Sequence, residues 1–533
     1  MTTENGRRYF AFRGIPFAEP PLGELRFRSP RPPKKWNQVV DATKDVNSCV
    51  EIRIRKSGAT IFGSEDCLYL NVYTPVGKLK GKQEILPIFF FIYGGAFIEG
   101  TSSSDLYGAG YFMEENFILV TANYRLGLFG FLSTEDLASP GNYGLKDQHL
   151  VLLWIKSNIR YFGGNPKNVI IMGQSAGATS VMHHVVSPRS RGLFHAAVPL
   201  SGDTLAEWSN QRRPKDIADD VAAALGIQND NTTEFVDTLR RMPTERLQGA
   251  NLKVIFVRVP STLMDGVTFT PTIEVDHKEA FIRDITYNSL ENGNFNKVPV
   301  LMGSTGLEAL FFAGVIDSLR FILLIYDLSP AMLITRHDTI YEWQKPIVGN
   351  MIKKQYFGND FASSAPKMRL IEYLSDLLFM RPLTKTAKLL SKFTNVYFYV
   401  YDYVIPTVKA FYVNEGYYFD AQIKGAGHSE DLGCYFFPKG VPKVNVEIKD
   451  SEIRHCARMR RFLMNFALFR NPTPQRDAEL QNILWPPVKA PNEVNYLYVA
   501  NKNYTVKQNY RGEYIRFWDN IYNTYFKKPY RCY

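Results

Sequence analysis

No run of 18 apolar residues occurs in the chain, and that is the length a helix needs to cross a bilayer, so no membrane span is expected. The first residues, Met1-Thr2-Thr3-Glu4-Asn5-Gly6-Arg7-Arg8, lack the apolar segment of a signal peptide. Over 533 residues there is no internal repeat and no stretch that looks like a linker, which points to one large domain over 1–533. Cysteine is scarce: Cys49 and Cys67 would close a short loop, while Cys434, Cys456 and Cys532 have no C-x-x-C or other metal-ligand spacing. No metal centre is expected. Blocks of like charge are missing too. Lys and Arg exceed Asp and Glu by 63 − 52 = 11. They lie in small scattered groups such as Arg53/Arg55/Lys56, Lys78/Lys80/Lys82 and Arg458/Arg460/Arg461, with no recognition motif, so no nucleic-acid partner is expected.

What is present is material for a packed α/β core. Unbroken apolar runs or alternation predict strands at 68–72, 86–93, 117–122, 169–172, 194–200, 298–302 and 395–403. Helical spacing predicts helices at 147–159, 176–186 and 214–225, with 310–390 mostly helical. Residues 9–27 mix apolar residues with Pro and Gly and read as an ordered but irregular segment. Strands alternating with helices imply a largely parallel sheet covered on both faces, with ligands bound beyond the carboxyl ends of the strands.

One of those ends carries Gly173-Gln174-Ser175-Ala176-Gly177, placed between a strand and a helix. Ser175 then sits on a sharp bend with its hydroxyl exposed, a position suited to a nucleophile. A serine hydroxyl needs a base and a group to orient that base. Of eight histidines, His183 and His184 lie on the serine's own helix and point back along it. His149 and His195 sit in apolar patterns, and His277, His337 and His455 have unremarkable polar settings. His428 differs: it lies in a glycine-flanked loop, Gly425-Ala426-Gly427-His428, after the last expected core strand. Glu308 follows the 298–302 strand and reads equally as the orienting acid or as a carboxylate stabilising a helix N-terminus. Backbone N–H groups of Gly95, Ala96 and Ala176 are positioned to hold an oxyanion, although Gly94-Gly95 also fits a plain tight turn. Trp208 reads as a pocket wall or as an ordinary core tryptophan.

Together these residues resemble the type-B carboxylesterase and cholinesterase family of α/β-hydrolases. The resemblance runs from about Tyr9 to the end. It rests on the 162–177 segment and on Glu65-Asp66-Cys67-Leu68-Tyr69-Leu70-Asn71-Val72. Gly14-Ile15-Pro16, Arg26-Phe27, Asn123-Tyr124-Arg125, the 141–148 segment Gly-Asn-Tyr-Gly-Leu-Lys-Asp-Gln and Asn471-Pro472 add to it. It implies an α/β-hydrolase fold and serine esterase activity on hydrophobic esters without metal or cofactor. It also implies a Ser175–His428–Glu308 triad, an oxyanion hole at Gly95, Ala96 and Ala176, an acyl-pocket role for Trp208 and a Cys49–Cys67 disulfide. Within the family the motif set is most similar to insect esterases, juvenile hormone esterases among them, with Gln174 the distinctive residue.

Most relatives carry Glu where Gln174 stands and a third glycine where Ala96 stands, so a buried charge is missing and a β-carbon narrows the acyl side. Family members begin with a leader and a strand pair ahead of the Tyr9 segment, so truncation is expected and a secreted protein is favoured, with a cytoplasmic one the alternative. Asn231-Thr232-Thr233 and Asn503-Tyr504-Thr505 would then be glycosylation acceptors. The rival reading is a binding relative that has lost the triad, against which the three intact residues argue. A ligand-sequestering esterase and the oligomeric state are left open by the sequence. Aromatics at 397–403, at Phe411, Tyr412, Tyr417, Tyr418 and Phe419, and at 435–437 suit an apolar gorge or plain core packing.

Overall fold

Strands without polar side chains form only where both faces are covered, and the chain supplies several in succession. The computed structural model describes every residue except 4, 56, 76–84, 266, 315, 335–338, 410–422, 437–448, 490–492 and 501–502. Inside two helices it also leaves out the side chains of 259–265, 317–319 and 321–322. Lys56, Lys78, Lys80, Lys82, His337, Phe411, Tyr412, Tyr417, Tyr418, Phe419 and Phe437 therefore lie outside the described residues.

The described strands are β1 (Phe10–Pro16), β2 (Glu51–Arg55), β3 (Gly58–Phe62), β4 (Tyr69–Thr74), β5 (Leu86–Ile92), β6 (Ile118–Ala122), β7 (Gly164–Gln174), β8 (Ala196–Leu200), β9 (Val300–Thr305), β10 (Val396–Asp402), β11 (Asn495–Ala500) and β12 (Tyr504–Gln508). Ten of them form one sheet in the order β1-β4-β6-β5-β7-β8-β9-β10-β11-β12, while β2 and β3 pair separately. From β6 to β11 each neighbouring pair is parallel; β1–β4, β4–β6 and β11–β12 are antiparallel. The helices used below are α1 (Tyr143–Asn158), α2 (Ala176–Val186), α3 (Lys367–Ser375), α4 (Arg381–Leu390) and α5 (Asp450–Phe469). A single π turn, Asp376–Met380, joins α3 to α4.

Two expectations are corrected. Residues 9–27 are not irregular throughout, because β1 pairs antiparallel with β4. Its register breaks between Phe12 and Ile15, where Gly14 adopts φ +77° and donates its N–H to Asn71 Oδ1. A glycine bulge and a terminal proline are tolerated on an edge strand and hide its alternation. The expected last core strand, 395–403, is β10, yet β11 and β12 extend the sheet beyond it.

The chain leaves β5 for β6 on one side and returns to β7 on the other, so the strand order reverses between β5 and β7. In an open parallel sheet a crevice forms at such a reversal, outside the carboxyl ends of the two strands. Gly94-Gly95-Ala96 follows β5 and Ser175 follows β7, on either side of that crevice.

Candidate active site

Ser175 joins β7 to α2 with φ 58° and ψ −123°, a conformation that strains any residue carrying a β-carbon. The surroundings hold it there. Its N–H donates to the Leu200 carbonyl at 2.8 Å, and its carbonyl accepts from Thr179 N at 2.9 Å. The turn after β5 presses against it: a β-carbon on Gly94 would stand 2.5 Å from the Gln174 carbonyl oxygen and 2.8 Å from Ser175 Cβ. Glycine at 94 is therefore what lets the two strand ends meet.

That turn has positive φ at Gly95 (112°), Ala96 (53°) and Phe97 (60°). It is closed by Ile98 and Glu99 N–H groups donating to the Gly95 carbonyl, both at 3.0 Å. The N–H groups of Gly95 and Ala96, and that of Ala176 in the first turn of α2, find no acceptor among the described residues. Three backbone donors are thus left over beside Ser175, and the helix dipole adds to the one at Ala176.

Glu308 opens a 3-10 turn directly after β9, and an isolated bridge between Leu307 and Gly427 aligns it with His428. Glu308 thus stands at the start of a helical turn and also faces the histidine. Its Oε2 lies 2.6 Å from His428 Nδ1. Its Oε1 accepts from Ser201 Oγ at 2.6 Å, Ser304 Oγ at 2.9 Å and Thr305 N at 2.7 Å. Burial would push this carboxyl up, but facing His428 and the hydrogen bonds from His428, Ser201 and Thr305 outweigh it and hold Glu308 below the ordinary glutamate value. The other ring nitrogen, His428 Nε2, lies 3.0 Å from Gln174 Nε2.

Asp431 and Glu430 sit beneath the histidine loop. Burial pushes Glu430 up to about 7 and Asp431 up to about 6. Gly427 N donates to Glu430 Oε1 at 3.0 Å, and Tyr399 OH donates to Asp431 Oδ2 at 2.6 Å.

A comparison with protein families matches residues 1–518 to one described as the carboxylesterase family. The chain belongs to the carboxylesterase family. It is a serine carboxylic ester hydrolase with the α/β-hydrolase fold. Among its relatives it is 35% identical over 518 residues to a juvenile hormone esterase of Tribolium castaneum, covering 91% of this chain and 82% of that protein. It is 30% identical over 532 residues to a carboxylic ester hydrolase of Bombus ignitus, covering 97% of this chain and 91% of that one. The structure of juvenile hormone esterase from Manduca sexta, with OTFP covalently attached, superposes with a TM-score of 0.84 at 27% identity, covering 98% and 99% of the two chains.

Around the histidine, this carboxylesterase places an aromatic wall that the sequence only half revealed. Trp208 is 8% exposed and donates its indole N–H to the Leu378 carbonyl at 2.9 Å. It reaches His428 through Phe379, whose ring centroid is 5.6 Å from Trp208 and 4.9 Å from the imidazole. Phe311 stands 5.4 Å from the same imidazole. Phe311 and Phe379 were not singled out from sequence. Phe311 had a signal, three residues after Glu308; Phe379 had none, since the π turn that aims it leaves no pattern.

The described gorge candidates go the other way. Tyr397, Tyr399, Tyr401, Tyr435 and Phe436 are core residues packed on Trp485, His455, Phe91 and their neighbours. His455, expected to be unremarkable, is buried, stacked on Tyr403 at 3.6 Å and pushed down to about 3 by burial.

Two disulfides are present, Cys49–Cys67 and Cys434–Cys456. The second, which spacing alone did not suggest, ties the turn after His428 to α5. The basic groups on α5 are engaged locally: Arg458 donates to the Glu479 carbonyl, Arg460 to the Cys434 carbonyl, and Arg461 pairs with Asp477. Asn231 is exposed and caps a helix by accepting from Glu234 N. No helix among the described residues is long and apolar enough to cross a membrane.

Proposed function

We propose that this carboxylesterase hydrolyses small hydrophobic esters through an acyl-enzyme on Ser175, with His428 as the base and Glu308 as its orienting acid. The observation that carries this reading is the 2.6 Å contact between Glu308 Oε2 and His428 Nδ1. A carboxylate held on Nδ1 keeps the proton there, which leaves the Nε2 lone pair to take the serine proton as Ser175 Oγ attacks the ester carbonyl. The oxyanion that forms accepts from the N–H groups of Gly95, Ala96 and Ala176, which find no other acceptor among the described residues. The imidazolium, stabilised by Glu308, returns its proton to the leaving alcohol. Water then enters by the same route in reverse and frees the acid.

The test is incubation with an organophosphate such as diethyl nitrophenyl phosphate, followed by mass analysis of the peptide that carries Ser175. A stoichiometric adduct there, absent from Ser175→Ala, is expected together with hydrolysis of nitrophenyl esters. No adduct and no hydrolysis would overturn the reading. A second reading, a specific juvenile hormone esterase, is favoured by Gln174 and by the likeness to two proteins so named. A kcat/KM for juvenile hormone well above those for simple nitrophenyl and naphthyl esters would support it.

A further inference from the structure

The turn that carries two of the three oxyanion donors is strained at Ala96 and Phe97, because both hold a positive φ that a β-carbon disfavours. Such a conformation persists only where its surroundings over-determine it. Each residue from Phe97 to Gly100 has a holder. Gly127 N donates to the Phe97 carbonyl at 2.7 Å. The other three are held by one strand that lies outside the ten-stranded sheet, β2. Ile52 N donates to the Ile98 carbonyl at 3.0 Å. Arg55 Nη1 donates to Glu99 Oε2 at 2.8 Å, and Gly100 N donates to Glu51 Oε2 at 2.6 Å.

The hairpin that supplies these contacts is closed on itself. β2 pairs with β3 from Glu51 opposite Phe62 to Arg55 opposite Gly58. The Cys49–Cys67 disulfide and a bridge between Cys49 and Ser64 fasten its base, and Arg55 stands at its tip. From there the ion pair reaches the donors through Glu99. Glu99 N donates to the Gly95 carbonyl at 3.0 Å. That carbonyl and the Ala96 N–H belong to one planar peptide, so whatever fixes the first aims the second. A β-carbon on Gly95 would press into the Glu99 carbonyl oxygen and stand 3.1 Å from Glu99 Cγ, so the turn rests directly on this residue. The side chains of Arg55 and Glu99 are 17% and 16% exposed. Burial pushes the Glu99 carboxyl above the ordinary glutamate value, and Arg55 is the main counterweight. Without the guanidinium, a buried carboxylate is left unpaired and turns out toward water.

We propose that Arg55 is a positioning residue for the oxyanion donors: its ion pair with Glu99 fixes the Gly95–Ala96 peptide from the tip of the disulfide-closed hairpin. That role rests on Ser175 attacking the ester as described above. Acylation and deacylation both pass through an oxyanion, so kcat falls whichever step limits turnover. Binding of the uncharged ester does not use these donors, so KM is spared.

The experiment compares wild type, Arg55→Met, Glu99→Met, the double variant and Arg55→Lys. It measures kcat and KM on nitrophenyl butyrate. It also measures the inhibition constant of an aryl trifluoromethyl ketone, which adds Ser175 Oγ and sets its own oxyanion against the same N–H groups. Arg55→Met and Glu99→Met are each expected to lose about tenfold or more in kcat with KM within about twofold, and the inhibition constant is expected to rise in step with KM/kcat. The double variant is expected to fall no further than the worse single one, because each removes the same contact. Arg55→Lys, which keeps the charge and loses the fork, is expected to recover part of the loss. A kcat within about twofold of wild type in both single variants, an additive double variant, a loss carried by KM, or an unchanged ketone affinity overturns the proposal. Stoichiometric organophosphate labelling of Ser175 separates the two readings. A labelled wild type with unaffected variants sinks the role of Arg55 alone, whereas an unlabelled wild type sinks the Ser175 reading. Heat unfolding checks that each variant is folded; should Arg55→Met fail to fold, Glu99→Met carries the decision.

Discussion

Gln174 Nε2 lies 3.0 Å from His428 Nε2, so the residue that precedes the serine by one position holds the ring nitrogen opposite Glu308. His428 is gripped at both nitrogens, by a carboxylate on Nδ1 and by a neutral amide on Nε2. An amide on Nε2 can donate to the lone pair of the neutral ring, which is the form a base must have. The serine competes with that amide for the same lone pair.

Replacing the amide by a carboxylate tests this relationship. Gln174→Glu puts a negative charge against the imidazole and favours its protonated, inactive form. The acid limb of kcat/KM against pH is expected to move up by about one unit, with a several-fold loss at pH 6 and little change at pH 9. A profile superimposable on wild type would show that the contact is incidental.

Glu308→Gln keeps an oxygen for Ser201, Ser304 and Thr305 but turns an amide donor toward Nδ1, which forces the wrong tautomer. In a triad this costs about 10⁴-fold in kcat. Heat unfolding should change little, so the loss would read as chemistry. A variant that keeps a tenth or more of the activity contradicts the role given to Glu308.

The Cys434–Cys456 disulfide spans 22 residues, and removing a loop closure of that size costs about 3 kcal/mol. Cys434→Ser is expected to lower the denaturation midpoint and, because the turn after His428 loses its tie to α5, to lower kcat more than KM rises. Urea unfolding and steady-state kinetics check both halves.

Asp203 gives a pH-dependent prediction. It is fully buried, Oδ1 accepts from Leu205 N and Thr386 Oγ1, and Oδ2 has no hydrogen-bond partner among the described residues. Burial pushes its carboxyl up to about 7. Its value in the fold lies above the unfolded one, so this stabilisation is complete below about pH 4 and is lost as pH rises to about 7. Glu430 and Asp431 act with the same sign. Asp203→Asn should remove up to about 1.4 kcal/mol per pH unit of that slope, which makes the variant the more stable protein at pH 8. Unfolding midpoints at pH 5 and pH 8 measure it.

Much of the fold is legible in the chain because β5, β6, β7 and β8 are apolar on both faces, a pattern that survives any packing detail. Ser175, Glu308 and His428 are legible for a related reason: each follows a readable strand, in the right order. What escapes is set by single residues or by side-chain reach. Gly14 breaks the alternation of β1, so its pairing with β4 is masked. The π turn at Asp376–Met380 obeys no periodicity. The Gln174–His428 contact joins residues 254 positions apart, and no local pattern encodes it.

Each reagent of the proposed chemistry leaves from the end of a different parallel strand: the oxyanion donors from β5, the serine and Gln174 from β7, the acid from β9 and the base beyond β10. Activity is then a gauge of strand register. A slip of β9 against β8 by one residue would carry Glu308 away from Ser201 while most helices stayed folded. Turnover should therefore fail ahead of bulk secondary structure when the sheet begins to loosen.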